Sequence, residues 1–308
     1  MEKKEISEKE LFQVLNKYDI GVVKSIKKIE RYHTYLQPAF IIETDTEKFF
    51  LKQYWEFDYS KKKGLEFNVF LQKKGYPCNK VILNKERKPY VEINKKVISI
   101  FEYISYEEKH NLNLKEYKEL GKYLGKLHVI GKKYKKLNET LGPEYFYNEF
   151  CENNDLIEKA PETVKQDLRK IRKEYPLLMK EMSGLPKGIC HTEFSPEHTR
   201  FNNNKLVAVI DWDLINTSYL LYDLGTTLST ALIENDFKPI EAILKGYEEE
   251  RKLEPEERER IKPAIKLGTY KYITWALDEN QLKKTNYKNI EKAINRLRKL
   301  NEKKIRLE

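Results

Sequence analysis

Two aromatic-rich apolar runs lie in "PAFIIETDTEKFFLKQYW" (38–55), and the polar turn "TDTEK" between them makes the pair read as a β-hairpin. The period changes in "SKKKGLEFNVFLQKKGY" (60–76), where Leu65, Val69 and Phe70 fall at helical spacing and Gly75 supplies a stop. "KPYVEI" (88–93) and "KKVISIFEYI" (95–104) return to a strand pattern. From "NLKEYKELGKYLGKLHVI" (113–130) the period becomes 3.6, with Tyr117, Leu120, Leu124 and Leu127 on one face. Gly121 and Gly125 in that helix lower its propensity but allow another backbone to come close. The first hundred residues therefore read as β-rich and the rest as helical, with no internal repeat.

One stretch interrupts the helical part: "KGICHTEFSPEHTRFNNNKLVAVIDWDLI" (187–215). Within it, "KLVAVIDW" is an apolar strand that ends in an acid and follows the turn "NNN", so it reads as the second half of a short hairpin. Its acids thus stand at loop mouths and not along a helix face. Asp211 is the foremost candidate, because a carboxylate closing an apolar strand offers the hard oxygen that Mg²⁺ takes as a ligand. Asp213, two residues on, either faces the same way or caps the turn.

Composition narrows the setting. A chain of 308 residues exceeds the usual size of one core, so two lobes sharing a cleft are expected. With 40% hydrophobic and 35% charged residues it reads as a globular chain with a heavily solvated surface. The start "MEKKEISEKELFQVL" has no apolar signal core, and no run reaches the roughly 20 apolar residues of a membrane span. A cytoplasmic location without membrane association is the expectation. Cys78, Cys151 and Cys190 stand far apart, which speaks against a disulfide framework and against a zinc site. The net charge of +10 is spread along the chain and interleaved with Glu, and no nucleic-acid signature accompanies it.

Phosphoryl transfer needs a cation on the phosphates, a metal bridging phosphate oxygens, and a carboxylate that positions the acceptor hydroxyl. Lys52, in a strand among apolar neighbours, suits the first role, and Glu66, fourteen residues later, could hold it. The plainer reading makes both of them ordinary surface charges. In "GTYKYITWALDENQ" (268–281), Tyr272, Trp275, Asp278 and Glu279 offer aromatic faces and negative charge, which suit an amine; alternatively the aromatics are core.

The order of these segments resembles the aminoglycoside phosphotransferase and choline kinase superfamily, closest to its homoserine-kinase-like branch. The likeness rests on "LPKGICHTEFSPEHTRFNNNKLVAVIDWD" followed by "LLYDLGTTLS", and it covers nearly the whole chain. It implies an α+β, two-lobed protein-kinase-like fold, with a β-rich nucleotide-binding lobe over residues 1–103 and a helical catalytic and substrate-binding lobe over 104–308. It also implies an ATP-dependent kinase that phosphorylates the hydroxyl of a small metabolite, with Mg²⁺, or Mn²⁺ in its place. By resemblance Lys52 is the phosphate-binding lysine, Glu66 its partner acid, and Glu102, Tyr103 and Ile104 lie in the hinge. Asp223 resembles the buried acid that braces the catalytic loop, and His191 the histidine that orients it. Asp213, Tyr272, Trp275 and Asp278 are the acceptor-side candidates.

Three departures stand out. The family's loop runs close to H-G-D-x-x-x-x-N, whereas this chain has His191, Thr192, Glu193 and, at the Asn place, His198. Glu193 keeps the catalytic carboxylate, but its added methylene moves it by roughly 1 Å, a shift that can cost ~10²-fold unless the backbone compensates. As the second metal ligand beside Asp211, His198 offers Mg²⁺ a softer nitrogen than an amide oxygen, and Glu197 is an alternative. The expected nucleotide loop "KKIERYHTYLQPAF" (27–40) has no glycine to let its amides wrap phosphates. A kinase-like module that binds nucleotide or regulates without turnover is therefore the second reading.

Overall fold

The computed structural model describes residues 5–29, 37–55, 59–105, 112–134, 137, 141–232, 236–277 and 287–302. It divides the chain into two compact units: Met1–Glu107 with Val207–Ile215, and Glu108–Leu206 with Asn216–Glu308.

The first unit is built on a sheet. Helix α1 (Glu8–Leu15) opens at a capping box in which the Ser7 hydroxyl accepts from the Glu10 amide and the Glu10 carboxylate accepts from the Ser7 amide. Strands β1 (Val23–Lys28), β2 (Ala39–Thr44) and β3 (Lys48–Trp55) lead to helix α2 (Tyr59–Lys73). After them come β4 (Val81–Ile82), β5 (Val91–Ile93) and β6 (Lys96–Glu102). The strand order is β1-β2-β3-β6-β4, with β5 also on β6, and every pair is antiparallel. The β2–β3 hairpin, α2 with Gly75 just beyond it, and the β5 and β6 strands lie where the periodicity puts them. Asn94 and Lys95 turn β5 into β6 with φ of 45° and 61°, the left-handed pair that a two-residue hairpin requires.

Both faces of this sheet are covered. Phe49 and Leu51 of β3 join Leu11, Val14 and Leu15 of α1 in one core, while Tyr54 joins Leu65 of α2, Val97 and Phe101 in another. Strand side chains alternate, so Lys52 projects on the α2 side with Tyr54, among apolar neighbours. Sequence reasoning did not anticipate α1, although Ser7 and Glu10 at capping-box spacing before an apolar run are its signature.

Helices dominate the second unit: α3 (Leu114–Gly131), α4 (Pro143–Glu152), α5 (Asn154–Glu158) and α6 (Glu162–Glu181) precede strand β7 (Lys187–Cys190). Strand β8 (Thr199–Asn202) turns at Asn203 and Asn204, again at positive φ, into β9 (Lys205–Val209), the strand in which the chain passes to the first unit. Back in the second unit are β10 (Asn216–Tyr219), α7 (Leu220–Thr230), α8 (Lys238–Glu250), α9 (Pro255–Glu259), α10 (Ile261–Leu277) and α11 (Tyr287–Glu302). β10 pairs antiparallel with β7, setting Asn216 beside Cys190. The expectation for α3 is met: a Cβ on Gly121 would stand 1.9 Å from the Ile243 carbonyl oxygen of α8, so only glycine lets these backbones pack so closely. Among the described residues, no helix is long and apolar enough to cross a membrane.

Candidate active site

In the first unit the structure gathers Lys52, Asp211 and Asp213. The Lys52 ammonium donates to Asp211 Oδ1 at 2.8 Å and to Asp213 Oδ2 at 2.9 Å. Lys61 of α2 adds a second cation, its Nζ 3.7 Å from Asp213 Oδ2. Burial alone would pull the Lys52 pKa down; the two aspartates outweigh it and hold the ammonium firmly charged. The Asp213 carboxyl is pushed up by burial, with Lys52 opposing and Asp211 adding to the rise.

The expected Lys52 partner, Glu66, is half-buried on α2 and makes no bond to Lys52; the lysine pairs with the acids after β9 instead. Two local features aim those acids. Asp211 sits at φ 63°, ψ 64°, a left-handed conformation that Asp tolerates better than most residues. Trp212 anchors the turn: its indole N–H donates to the Val209 carbonyl, and its ring meets Phe67 and Tyr76 edge-on. A Cβ on Gly64 would lie 2.2 Å from the Trp212 carbonyl oxygen, so α2 can press against this turn only with glycine there. Of the hinge residues, the Glu102 amide donates to the Lys80 carbonyl at 2.8 Å and the Tyr103 amide to the Lys48 carbonyl at 3.4 Å; Ile104 is half-buried just beyond. Half of the expected glycine-free nucleotide loop, residues 30–36 of 27–40, lies outside the described residues.

In the second unit the loop after β7 is held by its backbone. Asp223 of α7 accepts from the His191 amide at 2.9 Å and from the Thr192 amide at 2.8 Å. Its Oδ2 also meets His128 Nε2 at 3.1 Å. Burial would raise the Asp223 carboxyl, but the bonds from His128 and the loop amides hold it below the usual carboxylate range. His128 Nδ1 lies 2.7 Å from the Tyr247 hydroxyl, which accepts from Arg251, itself paired with Glu257 at 2.9 Å. Because Arg251 can only donate, the Tyr247 proton goes to His128 Nδ1 and the Nε2–H goes to Asp223. Burial lowers the His128 pKa and keeps that ring neutral. His128, Cys190 and Asp223 bring ligand atoms within 4.8 Å of one another, yet this polar chain uses both His128 nitrogens and both Asp223 oxygens, which leaves no metal geometry there.

His191 is fully buried, and its Nδ1 accepts from the Glu193 amide at 3.3 Å, an orienting contact inside the loop. Glu193 itself is about a third exposed. His198 Nδ1 lies 2.8 Å from the Glu193 carbonyl oxygen, which can only accept, so in a neutral His198 ring the lone pair falls on Nε2. On α10, Tyr272 and Trp275 are exposed, with ring centroids 6.2 Å apart, so these two are not core. Asp278 and Glu279 lie outside the described residues.

Sequence reasoning missed Lys271 of α10. It is buried, with its Nζ 2.5 Å from the Thr192 carbonyl oxygen and 3.8 Å from Glu193 Oε1. The available signal was a lysine four residues from Leu267 and three from Thr274, inside the buried stripe of a helix. Thr192 is the other surprise: it stands at φ 74° where the family pattern has glycine.

The phosphotransferase enzyme family (APH) matches residues 31–263. The homoserine kinase of Caulobacter sp. (strain K31) is 26% identical over 272 residues, covering 83% of this chain and 82% of that one. Among solved structures, an amicoumacin kinase in complex with AMP-PNP, Ca²⁺ and Ami has a TM-score of 0.69 at 14% identity, covering 96% of each chain. An aminoglycoside phosphotransferase from Alicyclobacillus acidocaldarius has a TM-score of 0.69 at 13% identity, covering 98% of this chain and 97% of that one. The protein-kinase-like fold is thus shared, and the chain belongs to the phosphotransferase enzyme family, as a kinase with an alcohol group as acceptor.

Proposed function

We propose that the chain moves the terminal phosphoryl group of ATP to the hydroxyl of a small amino alcohol or related metabolite. The observation that carries this is the convergence of Asp211 and Asp213 on Lys52, from 159 and 161 residues away in sequence. Carboxylate oxygens are the donors a hard divalent cation takes, so Asp211, with Asp213 beside it, fits the metal of a metal–nucleotide complex. Such a metal, Mg²⁺ or Mn²⁺, would neutralise charge on the triphosphate. Lys52 then serves the phosphates, the segment Glu102–Ile104 the base, and Glu193 accepts the proton of the acceptor hydroxyl while His191 orients the loop. His198 is the proposed further metal ligand, its Nε2 the nitrogen with the lone pair. The AMP-PNP and Ca²⁺ bound by the amicoumacin kinase support a nucleotide and a divalent cation here.

For the acceptor, the exposed Tyr272 and Trp275 offer π faces that favour a cationic amine. The homoserine kinases make a carboxylate-bearing amino alcohol the rival. A cytoplasmic setting without nucleic acid belongs to the same proposal. The changed residues at Thr192, Glu193 and His198 support the second reading, a nucleotide-binding module without turnover.

Thermal-shift titration with ATP and Mg²⁺ or Mn²⁺ tests the first step, since a ligand at 100 times its Kd stabilises by about 2.7 kcal/mol. ATP consumption with homoserine, ethanolamine, choline and aminoglycosides tests the second. No stabilisation at millimolar nucleotide with either metal overturns the proposal. Binding without turnover across the acceptors selects the module instead.

A further inference from the structure

The residue at the glycine place of the catalytic loop is β-branched and holds φ 74°. A left-handed conformation there is strained, and it persists only where the surroundings over-determine it. Those surroundings are visible on every polar atom of Thr192. Its amide donates to Asp223 Oδ1 at 2.8 Å, its hydroxyl accepts from Asn216 Nδ2, and its carbonyl accepts from Lys271 Nζ at 2.5 Å. Asn216 opens β10, the partner strand of β7, and Asp223 lies on α7, which follows it; Lys271 comes from α10, 79 residues on.

Lysine is an expensive choice for that place. The residue is 7% exposed, its Nζ lies 5.1 Å from the Phe146 ring centroid, and burial pulls its pKa down while Glu193 and Asp223 oppose the fall. What offsets the desolvation is the Thr192 carbonyl and the Glu193 carboxylate 3.8 Å away. The same ammonium therefore touches both residues by which this loop departs from the family's Gly-Asp. Its burial also argues against direct use by an acceptor, for which the exposed Tyr272 and Trp275 of the same helix are placed.

We propose that Lys271 is a positioning residue that locks the Thr192–Glu193 turn, standing in for the conformational freedom of glycine and setting the reach of the longer Glu193 carboxylate. The catalytic half of this inference rests on the proposed function; the conformational half does not.

The test is a double-mutant cycle with Lys271→Met and Thr192→Gly, read by thermal midpoint on the full chain and, with an accepted substrate, by kcat and KM. Lys271→Met is expected to lower the midpoint and to lower kcat at least about tenfold, with the acceptor KM little changed. Thr192→Gly in that background should recover most of both losses, because glycine takes positive φ without strain. Lys271→Arg, which keeps charge and donors, should retain more than Lys271→Met. Additive effects on the midpoint would overturn the proposal, as would a large rise in acceptor KM at constant kcat, which would make Lys271 an acceptor anchor. If Lys271→Met fails to fold, a folded double variant counts as recovery and an unfolded one sinks the idea. A wild type without turnover would end the proposed function while leaving the midpoint cycle to decide this inference.

Discussion

In the first unit, the acids that matter answer to side chains: Asp211 and Asp213 are held by the ammonium groups of Lys52 and Lys61, and Asp211 keeps about a third of its side chain in solvent. In the second unit the loop after β7, proposed to be catalytic, answers through its backbone, with Asp223 behind two successive amides and the chain His128, Tyr247, Arg251 and Glu257 behind Asp223. The first arrangement consists of side-chain ion pairs, which the proposed metal and phosphates would rearrange. The second is built into the buried interior, where the His128 and Asp223 side chains are fully enclosed. Side-chain ion pairs and a backbone held by a buried carboxylate are different devices, and the proposed ligand site uses the first while the proposed catalytic loop uses the second.

The largest effect expected from this contrast is on stability. Asp223→Asn puts an NH2 donor where a carboxylate oxygen accepts, leaving at least one buried N–H of His128, His191 or Thr192 without its acceptor, at a cost of about 1–3 kcal/mol. Asp211→Asn should cost under about 1 kcal/mol, because the site is partly exposed and Asn is at ease in the left-handed region. Urea unfolding of the two variants reads the difference directly, and equal losses would break the comparison.

Turnover should reverse the order of the two units. Asp211→Asn removes a group proposed to hold the metal, and the loss of one such electrostatic partner costs about 10²–10³ in kcat. A variant that turns over at the wild-type rate would place the metal elsewhere, with Asp213 and Glu197 next to be tested. Glu193→Asp comes next at about 10²-fold, since a carboxylate set by Lys271 loses roughly 1 Å of reach when shortened. A faster Glu193→Asp enzyme would instead mark the loop as a decayed form of the family's.

Much of this was legible in the sequence, and the limits are physical. The β2–β3 hairpin, α2, α3 with its close-packing glycines and the turn at Asn203–Asn204 follow from local periodicity and turn chemistry, which need no knowledge of the rest of the chain. Asp211 could be singled out because a carboxylate closing an apolar strand is informative, and Lys52 because it stands in an apolar strand at the place where the resemblance puts a lysine. Their pairing was not: the expected partner Glu66 lies on the neighbouring helix, and only the fold brings Asp213 to Lys52. Lys271 was hidden for the same reason, because a lysine on a helix reads as a solvated face until its neighbours in space are known.

The smallest effect is a matter of pH, and it separates the units by sign. His128 is held neutral by burial, below its ordinary value of 6.5, although Asp223 pulls the other way. Unfolded chains therefore take up a proton at this position before folded ones do, so stability is full above about pH 6.5 and falls as pH drops below it. Asp223, held below its ordinary 3.8 against the pull of burial, adds a further loss in stronger acid. Lys52 runs the opposite way: its pKa is raised above 10.5 by Asp211 and Asp213 against burial, so its contribution is present below that value and is lost as pH rises through the folded-state pKa. Urea midpoints between about pH 5 and pH 8 should slope upward in the wild type and flatten in His128→Asn, while Lys52→Met should leave that limb alone and change only the alkaline one. If His128→Asn keeps the acid slope, the buried chain behind the catalytic loop is not what makes this protein acid-sensitive, and the backbone-held loop would have to owe its rigidity to Lys271 and Asn216 instead.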